Sequence, residues 1–118
     1  MQEHTQQQIL MTRLDGVCDA AGALVLETRP LKPGGVLTFD IVATKTPTAN
    51  AVVAIEFVQG PSVYGLRTLK MITADYWYKT RGPVCIPSDW SVRLTYSDAG
   101  NAKLCEASIF GHLDVCPE

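Results

Sequence analysis

Few residues of this chain stand at spacings that could do chemistry. A nucleophile needs a base within hydrogen-bond reach and a third group to orient that base. The two histidines are His4, in a polar N-terminal stretch, and His112, beside Gly111 and near Asp114. A Cys105–His112 or a Ser108–His112 pair can be written down, but nothing in their spacing raises either above coincidence. Glycoside hydrolysis needs two carboxyl groups held at fixed separation across a cleft. Asp40, Glu56, Asp75, Asp89, Glu106 and Asp114 are instead scattered over different strands and turns, and read as outward-facing, solvated groups. Asp15, Asp19, Asp89 and Asp98 read first as turn formers, and none sits in a calcium loop of recognisable spacing. Lys32-Pro33-Gly34-Gly35 lacks the spacing of a phosphate cradle. The expectation is a non-enzymatic protein with no catalytic residues, no cofactor and no metal.

Cysteines and aromatics remain. Cys18, Cys85, Cys105 and Cys116 form no Cys-x-x-Cys pair and have no histidine at zinc spacing. All four are disulfide candidates, within or between chains, and three intramolecular pairings stay open. Cys105 shares strand parity with Ala107 and Ile109 and reads as a small buried hydrophobe. Cys18 and Cys116 read as the more exposed, and at least one oxidised pair is expected. Tyr64, Tyr76, Trp77, Tyr78, Trp90 and Tyr96 all fall in the second half of the chain. Exposed aromatics on a β-sheet protein can stack on sugar rings or anchor a protein interface, whereas buried ones fill the core. Tyr64, Tyr76, Trp77, Tyr78 and Trp90 are the candidate contact residues. Tyr76-Trp77-Tyr78 cannot all face one way in a strand, so at least one points away from the core.

The elements that would position these side chains are short strands. Residues 8–14, 23–29, 36–44, 51–59, 64–73 and 76–80 are apolar or alternating runs, separated by Gly, Pro, Asn and Asp turns. Leu37, Phe39 and Ile41 share one parity, as do Val53, Ile55 and Phe57, and period two marks a half-buried strand. Val92, Leu94 and Tyr96 alternate with Ser91, Arg93 and Thr95; the turn chemistry of residues 97–101 follows, and residues 103–113 return. These last two runs read as a closing hairpin, and 64–73 with 76–80 as another pair. Ser88-Asp89-Trp90 can start one turn of helix. The predicted core is Leu37, Phe39, Ile41, Val53, Ile55, Phe57, Val92, Leu94 and Ile109.

The pattern predicts an all-β chain: a single-domain antiparallel β-sandwich, jelly-roll or Ig-like, of about seven or eight strands, or else a small barrel. Residues 1–8 read as a polar arm and 9–118 as the domain. At 118 residues one core is expected. Apolar residues make up 47% and charged residues 19%, which suits a globular chain. A net charge of −2 with no basic run argues against a nucleic-acid surface. No apolar run approaches the roughly 20 residues of a membrane-spanning helix, and the first residues lack the pattern of a signal peptide.

The segments 90–96 (WSVRLTY) and 105–111 (CEASIFG), with Gly100 in the turn between them, resemble the closing hairpin of small β-sandwich virion proteins of tailed bacteriophages. That resemblance implies a structural part of a capsid, neck, collar or fibre, assembled in the host cytoplasm. Its partners would be further copies of itself and other virion proteins. The alternative is a carbohydrate- or receptor-binding sandwich that takes a glycan.

Overall fold

The computed structural model describes residues 6–30, 35–86 and 89–115; of 6–10, 37–43 and 115 it describes the backbone alone. Nine strands follow one another: β1 (Gln6–Val17), β2 (Leu24–Glu27), β3 (Gly35–Lys45), β4 (Ala51–Gln59), β5 (Ser62–Met71), β6 (Tyr78–Thr80), β7 (Val84–Ile86), β8 (Ser91–Ser97) and β9 (Leu104–Val115). No helix occurs among the described residues. One sheet has the order β1-β9-β3-β6, with β7 also pairing β3; the other has the order β2-β8-β4-β5. Every pairing is antiparallel. With β6 and β7 taken as one interrupted strand, this is the eight-stranded double sheet of a jelly roll.

The alternation read from the sequence sets the faces. Along β4, Ala51, Val53, Ile55 and Phe57 are buried while Val52, Ala54 and Glu56 are only half covered. Val92, Leu94 and Tyr96 of β8, Leu69 and Met71 of β5, and Cys105, Ala107, Ile109 and Leu113 of β9 complete the core. Six of the nine expected core residues are therefore buried together; Leu37, Phe39 and Ile41 lie outside the described side chains. Each such Leu, Ile or Val is worth about 1.5–3 kcal/mol on burial.

Four expectations need correction. The run 91–97 and the run 104–115 are not a hairpin: β8 belongs to one sheet and β9 to the other. Likewise β5 and β6 lie in opposite sheets. In both cases the connection crosses the sandwich, which turn residues permit as readily as a reversal. The polar arm is shorter than expected, because Gln6, Gln7 and Gln8 already pair with Val115, Asp114 and Leu113; residues 1–5 lie outside the described residues. Asp15 is not in a turn but sits inside β1 opposite Glu106. The helical turn proposed at Ser88 starts on an undescribed residue, and Asp89 takes a positive φ of 56°.

Four loops gather at one end of the sandwich: 18–23, 46–50, 72–77 and 98–103. They are tied to one another by backbone bonds. Ala99 N donates to Gly22 O at 3.1 Å, Ala102 N to Asp19 O at 3.3 Å, and Asp75 N to Thr46 O at 2.8 Å. Asp19 also does the turn work expected of it, its Oδ1 accepting from Ala21 N and Ala23 N, both at 2.9 Å.

Candidate functional site

The aromatic segment 76–78 stands at this interlocked end. Tyr76 is 58% exposed, and Ile72, four residues earlier at the start of the same loop, is also open to solvent. The segment is held from three sides. Asp75 adopts a positive φ of 57°, fixed by its bond to Thr46 O. Thr73 N donates to the Tyr78 hydroxyl at 2.8 Å. The Tyr76 and Tyr78 rings meet edge to face, 5.2 Å apart at 77°, the geometry that ring quadrupoles favour. Lys45 Nζ lies 5.4 Å from the Trp77 ring centroid, a cation–π contact. That same ammonium is 3.3 Å from Glu106, which Arg13 also binds. The two cations, Lys45 first and then Arg13, hold the Glu106 carboxyl below its usual range.

The other aromatic candidates lie elsewhere. Tyr64 is at the far end, lining a cleft of about 240 Å³ with Phe57, Leu66, Val84 and Cys85. Trp90 is no contact residue. It is fully buried against Phe57, with ring centroids 5.2 Å apart at 69°. Trp90 directly precedes β8 and continues the buried parity of Val92, Leu94 and Tyr96, which turns its ring into the core. A second hollow, about 280 Å³, sits on the outer face of β4 and β5 at the Ile55/Glu56 irregularity, lined by Ala54, Glu56, Gly65, Arg67 and Thr68. Its one carboxylate is already occupied: Arg93 Nε donates to Glu56 Oε1 at 3.1 Å.

The pairs that could have been nucleophilic do not assemble. Cys105 faces the core while His112 lies among the outward residues of β9. Ser108 and His112 share a face, but four strand residues separate them by about 13 Å. Glu56, Asp75, Glu106 and Asp114 occupy different faces and ends; Asp40 lies outside the described side chains. Among the described residues no three of His, Cys, Asp or Glu gather in one place.

Cys18, Cys85 and Cys105 are free thiols, so no disulfide joins the described cysteines; Cys116 lies outside them. Cys18, expected to be exposed, is buried. The 98–103 loop folds over it: its Sγ donates to Gly100 O at 3.3 Å and accepts from Lys103 N at 3.2 Å. Asp75, an aspartate placed to take the positive φ of a tight turn just before the Tyr76-Trp77-Tyr78 run, is the signal in the sequence that could have marked the loop as fixed.

No family model matches the chain, and no curated protein matches it. Among solved structures, the chain is similar to TmCBM61 in complex with β-1,4-galactotriose, with a TM-score of 0.54 and 11% identity over 98% of this chain and 91% of that one. The structure of infectious bursal disease virus, Gx strain, also aligns, at a TM-score of 0.36 and 7% identity over 98% of this chain and 43% of that one, outside the range of a shared fold. What the comparisons establish is the fold alone: this chain is a jelly-roll β-sandwich of the kind found in a carbohydrate-binding module.

Proposed function

We propose that this chain is a non-catalytic binding module that takes a saccharide on the loop end around Tyr76. The observation that carries the reading is the exposed Tyr76 ring on a segment already fixed by Asp75, Thr73 and Tyr78. A ring that is ordered before binding loses little freedom on contact, and rigid aromatic surface is what the apolar face of a pyranose requires. Asp75 and Thr73 flank the ring and are exposed, supplying groups for sugar hydroxyls. The full-length likeness to a galactotriose-bound module supports the same reading at the level of fold. Calorimetric titration with β-1,4-galactotriose and a panel of other β-linked hexose oligosaccharides tests it. Binding at millimolar strength or tighter is expected, lost in Tyr76→Ala and kept in Tyr76→Phe. No heat from any saccharide at millimolar concentration would end it.

A second reading, a structural virion component, is favoured by a different surface. Met11 and Phe110 pair across β1 and β9 on the outer face of their sheet, and both are exposed. Large apolar side chains standing together on a sheet face suit repeated protein contact. Cosedimentation with purified capsids or necks, lost in Phe110→Asp, supports that reading; failure to cosediment removes it.

A further inference from the structure

We propose that two copies of this chain join edge to edge through β1, antiparallel about a two-fold axis at Leu14. The inference is independent of the saccharide reading, since it uses the free edge of β1 and not the exposed Tyr76 ring.

Sheet edges offer unpaired backbone groups, and most edges of this sandwich are protected in recognised ways. β2 has four residues, and β6 and β7 three each. β5 is broken by a register shift against β4 and carries Arg67 and Lys70. β1 is different. It runs 12 residues without proline or lysine, pairs on one side only, with β9, and keeps unbroken register from Gln6 to Val17.

Its outward side chains name the partner. Met11, Arg13, Asp15 and Val17 are exposed in strict alternation with Thr12, Leu14 and Gly16. Met11 is 73% and Val17 58% exposed. The order along the strand is apolar, cation, anion, apolar. A two-fold axis at Leu14 sets Arg13 opposite the partner's Asp15 and Met11 opposite the partner's Val17, and each contact occurs twice. Moving the axis to residue 13 would oppose two arginines, and moving it to residue 15 would oppose two aspartates, so charge selects the register. Asp15 gains most. Across β9 it faces Glu106, a like charge, and among the described residues it has no cation. Arg13 can turn to it because Glu106 keeps Lys45. On the inner face Leu14, half-buried at the margin of the core, meets its own copy. An isologous contact of this kind closes after two chains.

Sedimentation velocity and light scattering on the full chain, in reductant, test the proposal. A concentration-dependent dimer is expected. Asp15→Arg opposes arginine to arginine twice and should raise the dissociation constant about tenfold or more. Arg13→Asp combined with Asp15→Arg restores opposite charges and should restore the dimer. A single cooperative melt of each variant shows that folding is intact. A monomer at all concentrations, a dimer indifferent to Asp15→Arg, or a charge swap that fails to recover it would each overturn the assignment. The readout is the association state alone, so its failure and that of the saccharide reading are told apart.

Discussion

Thr44 and Tyr96 meet across the sandwich, Oγ1 to hydroxyl, at 2.6 Å. Thr44 Oγ1 also donates to Glu106 O at 2.9 Å. Its only hydrogen is used there, so the Tyr96 hydroxyl is the donor between the two. One buried threonine thus links β3, β8 and β9, and burial pushes the Tyr96 phenol well above its usual pKa. The two partners are not equivalent. Tyr96→Phe leaves Thr44 still bonded and should cost about 1 kcal/mol. Thr44→Val strands the buried Tyr96 hydroxyl and should cost about 1–3 kcal/mol. The double variant should cost less than the sum of the two. Urea unfolding of the three proteins checks the order.

Glu106 makes the fold acid-sensitive. Lys45 and Arg13 depress its folded-state pKa, below the ordinary value of about 4.3. The ion pairs therefore add stability above that pH, and the contribution fades as pH falls through the depressed value. Glu106→Gln should melt lower than the parent at neutral pH and lose less between about pH 5 and about pH 3. Thermal melts over that range decide it; parallel curves would deny the ion pairs a role.

The strand pattern was legible because parity was clean. Val53, Ile55 and Phe57, then Val92 and Leu94, announced which face was buried. The pairing was not legible, because Ser97 to Asn101 specify only that the chain turns. Asp98 at φ 56° and Gly100 at φ 99° do make the turn, and the chain leaves it on the opposite sheet. At the candidate site, composition pointed to Tyr76 and Trp77. It could not tell Tyr76 from Trp90, since each directly follows an aspartate in a turn-forming stretch and only packing separates them.

Thiol reactivity should divide the cysteines. Cys85 is exposed, whereas burial first, and then the nearby Cys18, push the Cys105 thiol up to about 11. Alkylation reacts through the thiolate. At about pH 8, Cys85 should be modified in the native protein, and Cys18 and Cys105 only on unfolding. Mass mapping after a native pulse checks this; early labelling of Cys105 would contradict its burial.

Gly22 should not tolerate a side chain. Its φ is +82°, and an added Cβ would lie 2.5 Å from Ala99 N, a backbone atom that cannot step aside. Gly22→Ala should cost at least about 1 kcal/mol and loosen the contact between loops 18–23 and 98–103. Amide hydrogen exchange at Ala99, whose N–H donates to Gly22 O, should accelerate. An unchanged exchange rate would show the two loops to be independent.

Substitution within the core gives a final check on parity. Leu94 is fully buried at the middle of β8, so Leu94→Ala should cost about 2–5 kcal/mol. Arg93→Ala, on the other face, loses one partly exposed ion pair and should cost about 1 kcal/mol or less.

The position of β9 between β1 and β3 has a kinetic consequence. Synthesis delivers β1 and β3 long before the strand that joins them; β3 can pair early with β6 and β7, but β1 has no partner in its sheet until residues 104–115 emerge. The other sheet closes earlier, at β8. Folding should run in that order, with the β2-β8-β4-β5 layer as the template and docking of β9 as the slow, late step that the large sequence separation of Gln6 and Val115 imposes. During that interval β1 waits with both edges open, the stage of biogenesis at which a chaperone has most to bind and at which aggregation competes most directly with folding.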